Sequence, residues 1–159
     1  MAIVDHAHDA PRLFDPPAES VTTIDDLVEG VRFHPSVAAW FERRFIHGPT
    51  PPQTEAWPHI AAGRNTLIAA PTGSGKTLAG FLMAINRQYL ARQRGEDVVG
   101  TRVVYVSPLK ALAVDIAENL ERPLEEIASL AADMGFDAPA ITVGVRTGDT
   151  TSSERARMS

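Results

Sequence analysis

Eight consecutive residues, 70–77 (Ala-Pro-Thr-Gly-Ser-Gly-Lys-Thr), have the types and the spacing of a loop that binds phosphate. Gly73 and Gly75 can adopt backbone angles that other residues avoid, so the loop can wrap around an anion with its N–H groups pointing inward. Lys76 would then reach the β- and γ-phosphates of a nucleotide, and the Thr77 hydroxyl would bind Mg²⁺. The pattern therefore predicts a nucleoside triphosphate site.

One position of this loop departs from the general pattern, because Ala70 stands where that pattern has glycine. An alternative interpretation is a loop rich in glycine and serine that merely precedes a capped helix. The flanking residues favour the phosphate loop. An apolar run at 65–69 precedes it, and an amphipathic run at 78–94 with helical spacing follows it.

Three short apolar runs, 65–70, 102–106 and 140–145, have the composition of strands, and the second reads as a strand buried on both faces of a parallel sheet. Helical patterns separate them. The predicted order is helix, helix, strand, loop, helix, strand, helix, helix, strand, helix. Such alternation predicts an α/β fold in which a parallel sheet is flanked by helices.

The helical patterns have recognisable starts and stops. The first two long helices are expected from about 34 to 48 and from 53 to 61, after a possible short one at 24–29. The residues from 109 to 135 are predicted to form two helices, the second of which begins at Pro123. Residues 1–30 are predicted to be a flexible arm, because the first of them combine prolines with scattered acids and few apolar side chains.

Composition narrows the class of protein. The chain has 159 residues, of which 44% are hydrophobic and 22% charged, and these values are ordinary for a globular domain. The formal net charge of −5 excludes a uniformly basic nucleic-acid binder but allows a local basic groove. The absence of cysteine excludes disulfides and thiolate metal sites and fits a cytoplasmic protein. Neither a membrane span nor a signal peptide is expected.

Four segments together resemble consecutive motifs of the superfamily 2 DEAD/DEAH-box helicases, and the large helicase-related (Lhr) group most of all. They are 49–53, 70–82, 105–112 and 146–150. The phosphate loop alone occurs in many NTPases, whereas four motifs in order and at sensible spacing are much more specific. The resemblance covers about 33–158. It implies that residues 31–159 are the N-terminal part of a first RecA-like ATP-binding domain, with a helical N-terminal extension.

The resemblance also implies a role for particular residues, with ATP and Mg²⁺ as cofactors. Gln53 would sense adenine, whose two-sided hydrogen-bonding edge an amide can match, and Phe45 would stack near the base, a role for which Trp40 and Phe41 compete. The implied contacts to the phosphates come from Thr72, Gly73, Ser74, Gly75, Lys76 and Thr77, among which Lys76 and Thr77 are catalytic and Thr77 holds the metal. The implied contacts to a nucleic-acid strand come from Pro108, Leu109, Lys110, Thr147, Gly148 and Asp149.

The positions of Lys110 and Thr147 on the predicted sheet agree with the implied contacts to a nucleic-acid strand. Ligands of parallel α/β sheets bind beyond the carboxyl ends of strands, where Lys110 and Thr147 are expected to lie. Contacts to phosphates there would be independent of base sequence and would weaken with salt. The alternatives are an ordinary surface lysine and, for 147–151, a turn that caps a helix.

The function predicted from these features is that of an ATP-dependent DNA helicase or translocase acting on single-stranded or partly duplex nucleic acid, and the resemblance suggests DNA repair. The alternatives are a P-loop NTPase of another class and a non-catalytic nucleotide- or nucleic-acid-binding fragment. Such helicases need an Asp-Glu pair after a later strand, and 1–159 contains none in that context. We therefore expect a chain truncated before that motif, which needs the remainder of its protein for activity.

Overall fold

The computed structural model describes residues 23–157, and the part of the predicted arm at 1–22 lies outside them. The described residues contain six α-helices, which are α1 (Ile24–Leu27), α2 (Pro35–Arg44), α3 (Pro51–Ala61), α4 (Lys76–Gln93), α5 (Lys110–Asp133) and α6 (Ser152–Arg157). Within this range, no helix is both long and apolar enough to cross a lipid bilayer.

The helix starts follow from local chemistry. Two prolines, Pro51 and Pro52, open α3, where a missing N–H and a fixed φ do no harm. The residue before them, Thr50, has capping-box spacing to Gln53, whose side-chain Oε1 accepts a hydrogen bond from the Thr50 backbone N–H. At the start of α2, the side chain of His34 accepts a hydrogen bond from the Ser36 amide.

The hydrophobic core lies where α1, α2, α3 and α4 meet the C-terminal part of α5. Aromatic side chains dominate it. Trp57 is fully buried and makes edge-to-face contacts with Phe33 and Phe41 at centroid distances of 5.3 and 5.5 Å. Leu82 and Tyr89 of α4 close the core from the other side. The helix after the phosphate loop is thereby fixed against the helix before it.

The predicted parallel sheet is wrong for the described residues, because none of them is assigned to a strand. The runs at 65–70, 102–106 and 140–145 carry no strand pairing. Their side chains are largely exposed, with Leu67 at 93%, Val106 at 83% and Val104 at 76% of their full accessible surface. The three runs predicted to form a central sheet are thus largely exposed. The observed architecture of the described residues is helical.

The physical reason is that a strand is defined by a partner. A β-branched run favours extended backbone, but its N–H and C=O groups pair only with a neighbouring strand. Composition reports the preference of one segment and contains no information about whether a second segment lies beside it. The helices were easier to predict, since each satisfies its own backbone hydrogen bonds.

The two helices predicted between 109 and 135 are a single helix, α5, that contains Pro123 in its interior. An internal proline removes one backbone hydrogen bond and costs about 3 kcal/mol. Apolar residues on both sides of it, Leu120 and Leu124, pack against the core and offset this cost. Tertiary packing overrides the local stop signal here. The other helices lie close to their predicted positions, although α2 ends at Arg44, four residues before Gly48.

A buried polar network joins α2 to α4. The His34 amide donates to Oδ1 of Asn86 at 2.7 Å, and Nδ2 of Asn86 donates to the Arg32 carbonyl at 2.8 Å. The His34 ring is 1% exposed and packs against Tyr89 and Phe136 at centroid distances of 5.3 and 4.7 Å. Desolvation by this burial lowers the pKa of His34 below its usual 6.5.

We expect the free energy of unfolding to decrease as the pH falls below about 6.5. Since the pKa of His34 is lower in the folded than in the unfolded chain, the unfolded state takes up the proton first, and stability is complete only above the unfolded pKa. Urea titrations at pH values on both sides of about 6.5 would measure this. His34→Asn, which keeps a capping side chain but cannot titrate, should flatten the profile, whereas His47→Gln on the surface should leave it unchanged. An equally steep profile in both variants would contradict the assignment.

Candidate functional site

The loop at 70–75 has the backbone that the glycine positions predicted. Gly73 and Gly75 have φ angles of +82° and +83°, in the left-handed region, and Gly75 is the N-cap of α4. The amide and the hydroxyl of Ser74 both donate to the Pro71 carbonyl, at 3.3 and 2.8 Å. These bonds shape a tight loop whose last residue leads directly into the helix that begins at Lys76.

Lys76 folds back over its own loop. Its ammonium donates to the carbonyl oxygens of Ala70 and Pro71, the latter at 2.6 Å. Neutral carbonyls stabilise a cation less than an ionised oxygen does, because hydrogen bonds between charged partners are shorter and about twice as strong. The ammonium is therefore held at the mouth of the loop by groups that a phosphate can replace.

The start of α4 offers further positive potential. Gly75 is the N-cap residue, and no side-chain cap hydrogen bond is made at this helix N-terminus within the described range. Such a terminus presents backbone N–H groups and a favourable dipole to an anion. Thr77 lies in the first turn with an exposed side chain. Its hydroxyl suits Mg²⁺, which takes few protein ligands and keeps water and phosphate oxygens. The structure shows no group of three or more acidic or histidine side chains that would hold a metal in residues 23–157.

Gln53 connects the loop to α3. Its Oε1 accepts from the Thr50 amide at 2.9 Å, and its Nε2 donates to the Gly75 carbonyl at 3.3 Å. The Thr50 hydroxyl donates to the Ser74 carbonyl at 2.8 Å, so two side chains from the start of α3 hold the loop. The Gln53 side chain retains one amide hydrogen and one lone pair. An adenine contact, which remains a prediction, would use these.

Two of these positions were not predicted as functional. The sequence assigns no separate role to Thr50, although its spacing to Gln53 is that of a capping box, which indicates that the two act together. The second position is Trp57, whose indole N–H donates to the Ala79 carbonyl of α4 at 3.0 Å. No local pattern indicates that bond, because the two residues are 22 positions apart.

The structure places Phe45 within the aromatic cluster of α2. Its ring stacks on Phe41 at a centroid distance of 4.6 Å and meets Trp40 edge-to-face at 5.9 Å. Phe45 is only partly buried, and it is the C-cap residue of α2. Its ring is therefore fixed by its neighbours, and its predicted role beside a base stays a prediction.

An ion pair joins the two segments that are predicted to contact a nucleic-acid strand. Lys110 is the first residue of α5, and its ammonium forms an ion pair with the carboxylate of Asp149, from the loop before α6. Pro108 and Leu109 are exposed just before that helix. In the other loop, the Thr147 amide donates to the Thr150 hydroxyl at 2.8 Å.

Arg155 closes the loop that carries Thr147, Gly148 and Asp149. Its Nε donates to the Thr150 carbonyl at 2.9 Å, and its Nη2 donates to the Gly148 carbonyl at 3.3 Å. The Thr147 hydroxyl accepts from the Asp149 amide at 3.3 Å. These bonds give the loop a shape that does not depend on the Asp149 side chain.

Comparison with known proteins identifies the class to which this arrangement belongs. The family model described as DEAD/DEAH box helicase matches residues 50–157, from the threonine that holds the loop to the last described residue. The chain belongs to the DEAD/DEAH box helicase family. The predicted resemblance is thereby confirmed, and the match contains the phosphate loop and both segments joined by the Lys110–Asp149 pair.

Similar proteins within the family carry helicase names. The chain is 54% identical over 127 residues to "Lhr helicase/ probable uracil glycosylase" of Mycolicibacterium smegmatis, a match that covers 80% of this chain and 8% of the relative. It is 50% identical over 122 residues to "ATP-dependent helicase Lhr-Core protein 2" of Thermococcus barophilus, covering 77% of this chain and 14% of the relative. The chain thus spans a small fraction of the length of these helicases.

A solved structure shows the same similarity in three dimensions. It is described as the Mycobacterium smegmatis helicase Lhr bound to ssDNA and AMP-PNP, and it superimposes with a TM-score of 0.71 at 52% identity. The match covers 80% of this chain and 15% of that one. The family assignment therefore rests on fold as well as on sequence.

Proposed function

We propose that this chain supplies the phosphate loop, the adenine-sensing segment and two strand-contacting segments of an ATP-dependent DNA helicase or translocase. The observation that carries the proposal is the attachment of Gln53 and Thr50 to the carbonyls of Gly75 and Ser74. A generic P-loop NTPase does not require a glutamine from an upstream helix to hold its loop. The attachment supports a role for Gln53 at the proposed nucleotide site.

The proposed roles follow from position. Lys76 exchanges its contacts with the loop carbonyls for the β- and γ-phosphates, and the backbone N–H groups at the start of α4 bind the same anion. The Thr77 hydroxyl would hold Mg²⁺, which supplies charge neutralisation between the phosphates when bound. Gln53 reads the adenine edge beside Phe45. The sequence of residues 1–159 contains no Asp-Glu pair, so binding without appreciable hydrolysis is proposed for this chain by itself.

The nucleic-acid part of the proposal rests on the second group of residues. The ion pair between Lys110 and Asp149 brings two segments together. One contains Pro108, Leu109 and Lys110, and the other is the loop with Thr147 and Gly148. An exposed lysine and the backbone N–H groups at the start of α5, where the N-cap residue Leu109 makes no side-chain cap hydrogen bond among the described residues, fit a sugar–phosphate backbone without reading bases. The solved relative is described as bound to ssDNA, which supports single-stranded DNA as the partner.

Titration of the chain with ATP, and separately with GTP, followed by calorimetry in the presence of Mg²⁺, tests the nucleotide proposal. Lys76→Ala is expected to weaken ATP binding by roughly 10- to 100-fold, because a hydrogen bond to a charged group contributes about 1.5–3 kcal/mol. Arg64→Ala removes an equal charge from an exposed position near the apolar run and should leave ATP binding unchanged.

The same titration distinguishes the alternatives. Gln53→Ala should reduce the preference for ATP over GTP if the amide reads adenine. Equal binding of both nucleotides, with no effect of Gln53→Ala, would instead indicate a P-loop NTPase of another class. A chain that binds neither nucleotide would leave only the reading as a nucleic-acid-binding fragment.

A further inference from the structure

Asp149 stands out among the residues of the strand-contacting segments because its charge has the wrong sign for a phosphate ligand. Phosphate oxygens are bound by cations and by N–H and O–H donors, and an ionised carboxylate is an acceptor only. Its hydrogen bond with Lys110, together with the lysine charge, lowers the pKa of Asp149 below its usual value. The group is therefore an anion at neutral pH.

The Asp149 carboxylate takes up one of the three N–H donors of the Lys110 ammonium, and a phosphate group bound to Lys110 would use the same kind of donor. The two side chains are 39 residues apart in the sequence and form an ion pair between the start of α5 and the loop before α6. A carboxylate oxygen and a phosphate oxygen make the same kind of charge-assisted contact with an ammonium group. One charged partner on Lys110 thus stands in for the other.

We propose that Asp149 is an intramolecular competitor for Lys110, which a nucleic-acid phosphate must displace when the strand binds. The inference rests on the proposed strand-contacting function and changes the role of Asp149 within it. Asp149 is a residue that sets how tightly the site takes a strand, and it is not itself a ligand of the strand.

The exposure of the pair makes displacement feasible. The side chains of Lys110 and Asp149 are 58% and 76% exposed, and ion pairs at such positions are weak because water and salt screen them. A strand that presents several phosphates can therefore replace the carboxylate. For the same reason, the effect of removing the carboxylate is limited to roughly two- to fivefold in the dissociation constant.

The loop itself should survive the loss of the carboxylate. Arg155 holds the Thr150 and Gly148 carbonyls, and the Thr147 amide and hydroxyl bond to Thr150 and to the Asp149 backbone. None of these contacts uses the Asp149 side chain. Asp149→Asn is therefore a test of charge with little change in shape.

Fluorescence anisotropy of a labelled oligothymidylate, titrated with the chain at about 50 and 200 mM salt, measures the competition. Asp149→Asn is expected to bind the oligonucleotide about two- to fivefold more tightly than the wild type. The gain should vanish in the Lys110→Ala background, because the carboxylate then has no cation to withhold. Asp133→Asn, which removes an equal charge at the far end of α5, is the matched control and should change binding much less.

Each outcome has a defined meaning. Weaker binding by Asp149→Asn would overturn the proposal, because it would make Asp149 a ligand of the strand. A gain that persists without Lys110, or that Asp133→Asn reproduces, would also overturn it and leave only a general charge effect. If neither the wild type nor Asp149→Asn binds in a salt-sensitive way, both this inference and the proposed strand contact fail. If the wild type binds the oligonucleotide in a salt-sensitive way and Asp149→Asn binds it equally tightly, the competition is refuted but the proposed strand contact stands.

Discussion

Gly75→Ala is expected to weaken ATP binding by about tenfold or more, because among the described glycines this is the position where an added Cβ would collide with a neighbour. The φ angle of +83° alone costs an alanine about 1–2 kcal/mol. A Cβ atom at this position would lie 2.5 Å from Nε2 and 3.2 Å from Cδ of Gln53. Either the loop or the glutamine must move, and the contact that joins them is lost.

Two further glycines make the comparison sharp. Gly73 has nearly the same φ angle, but a Cβ atom there meets nothing within 4 Å, so Gly73→Ala carries the backbone strain without the collision. Gly63 is equally open and lies outside the loop. We expect ATP affinity to decrease in the order Gly63→Ala, Gly73→Ala, Gly75→Ala, measured by calorimetry. If Gly75→Ala binds ATP as well as Gly73→Ala, the collision with Gln53 does not matter.

Trp57→Ala is expected to lower the free energy of unfolding by about 3–5 kcal/mol, a large part of the stability of an ordinary domain. The side chain is fully buried between Phe33 and Phe41. Truncation removes its apolar surface and its packing contacts, together with the bond from its indole N–H to the Ala79 carbonyl. Urea unfolding followed by far-ultraviolet circular dichroism gives the value.

Trp57→Phe, a milder substitution, separates the contribution of the Trp57–Ala79 hydrogen bond from that of the buried side-chain volume. Trp57→Phe keeps a ring in the core and should lose a smaller amount, part of it the roughly 1 kcal/mol of one hydrogen bond. Ile46→Ala, at a side chain that is 82% exposed, should change stability by less than about 0.5 kcal/mol. Equal losses for Trp57→Ala and Ile46→Ala would show that the core does not depend on the joint between α3 and α4.

The sequence allowed the helices and the loop to be predicted because their signals are local. The positive φ angles of Gly73 and Gly75 confirm the conformation expected from their spacing, and α4 begins at Lys76, close to the start of the predicted amphipathic run. The sheet could not be predicted correctly, since the composition of 102–106 describes a preference for extended backbone and not the presence of a neighbour.

The candidate site shows the same division. Local motifs were enough to propose its residues, whose roles stay predictions, but not to predict its long-range contacts. The bonds from Gln53 to Gly75 and from Lys110 to Asp149 join positions 22 and 39 residues apart, and no periodicity relates such pairs. The proline at 123 was misread for a related reason, because the packing that carries α5 through it comes from other helices.

The continuity of α5 has a mechanical consequence. Its buried residues, Ile127, Leu130 and Ala131, all lie in its last third, whereas Lys110 stands at the opposite end. From Pro123 to Lys110 the helix is a lever arm of about 20 Å, given a rise of about 1.5 Å per residue. A bend of about 10° at the proline, where a ladder bond is missing, swings the tip by roughly 3 Å. That is as long as a hydrogen bond, so a bend of this size at Pro123 would be enough to make or break a contact at Lys110.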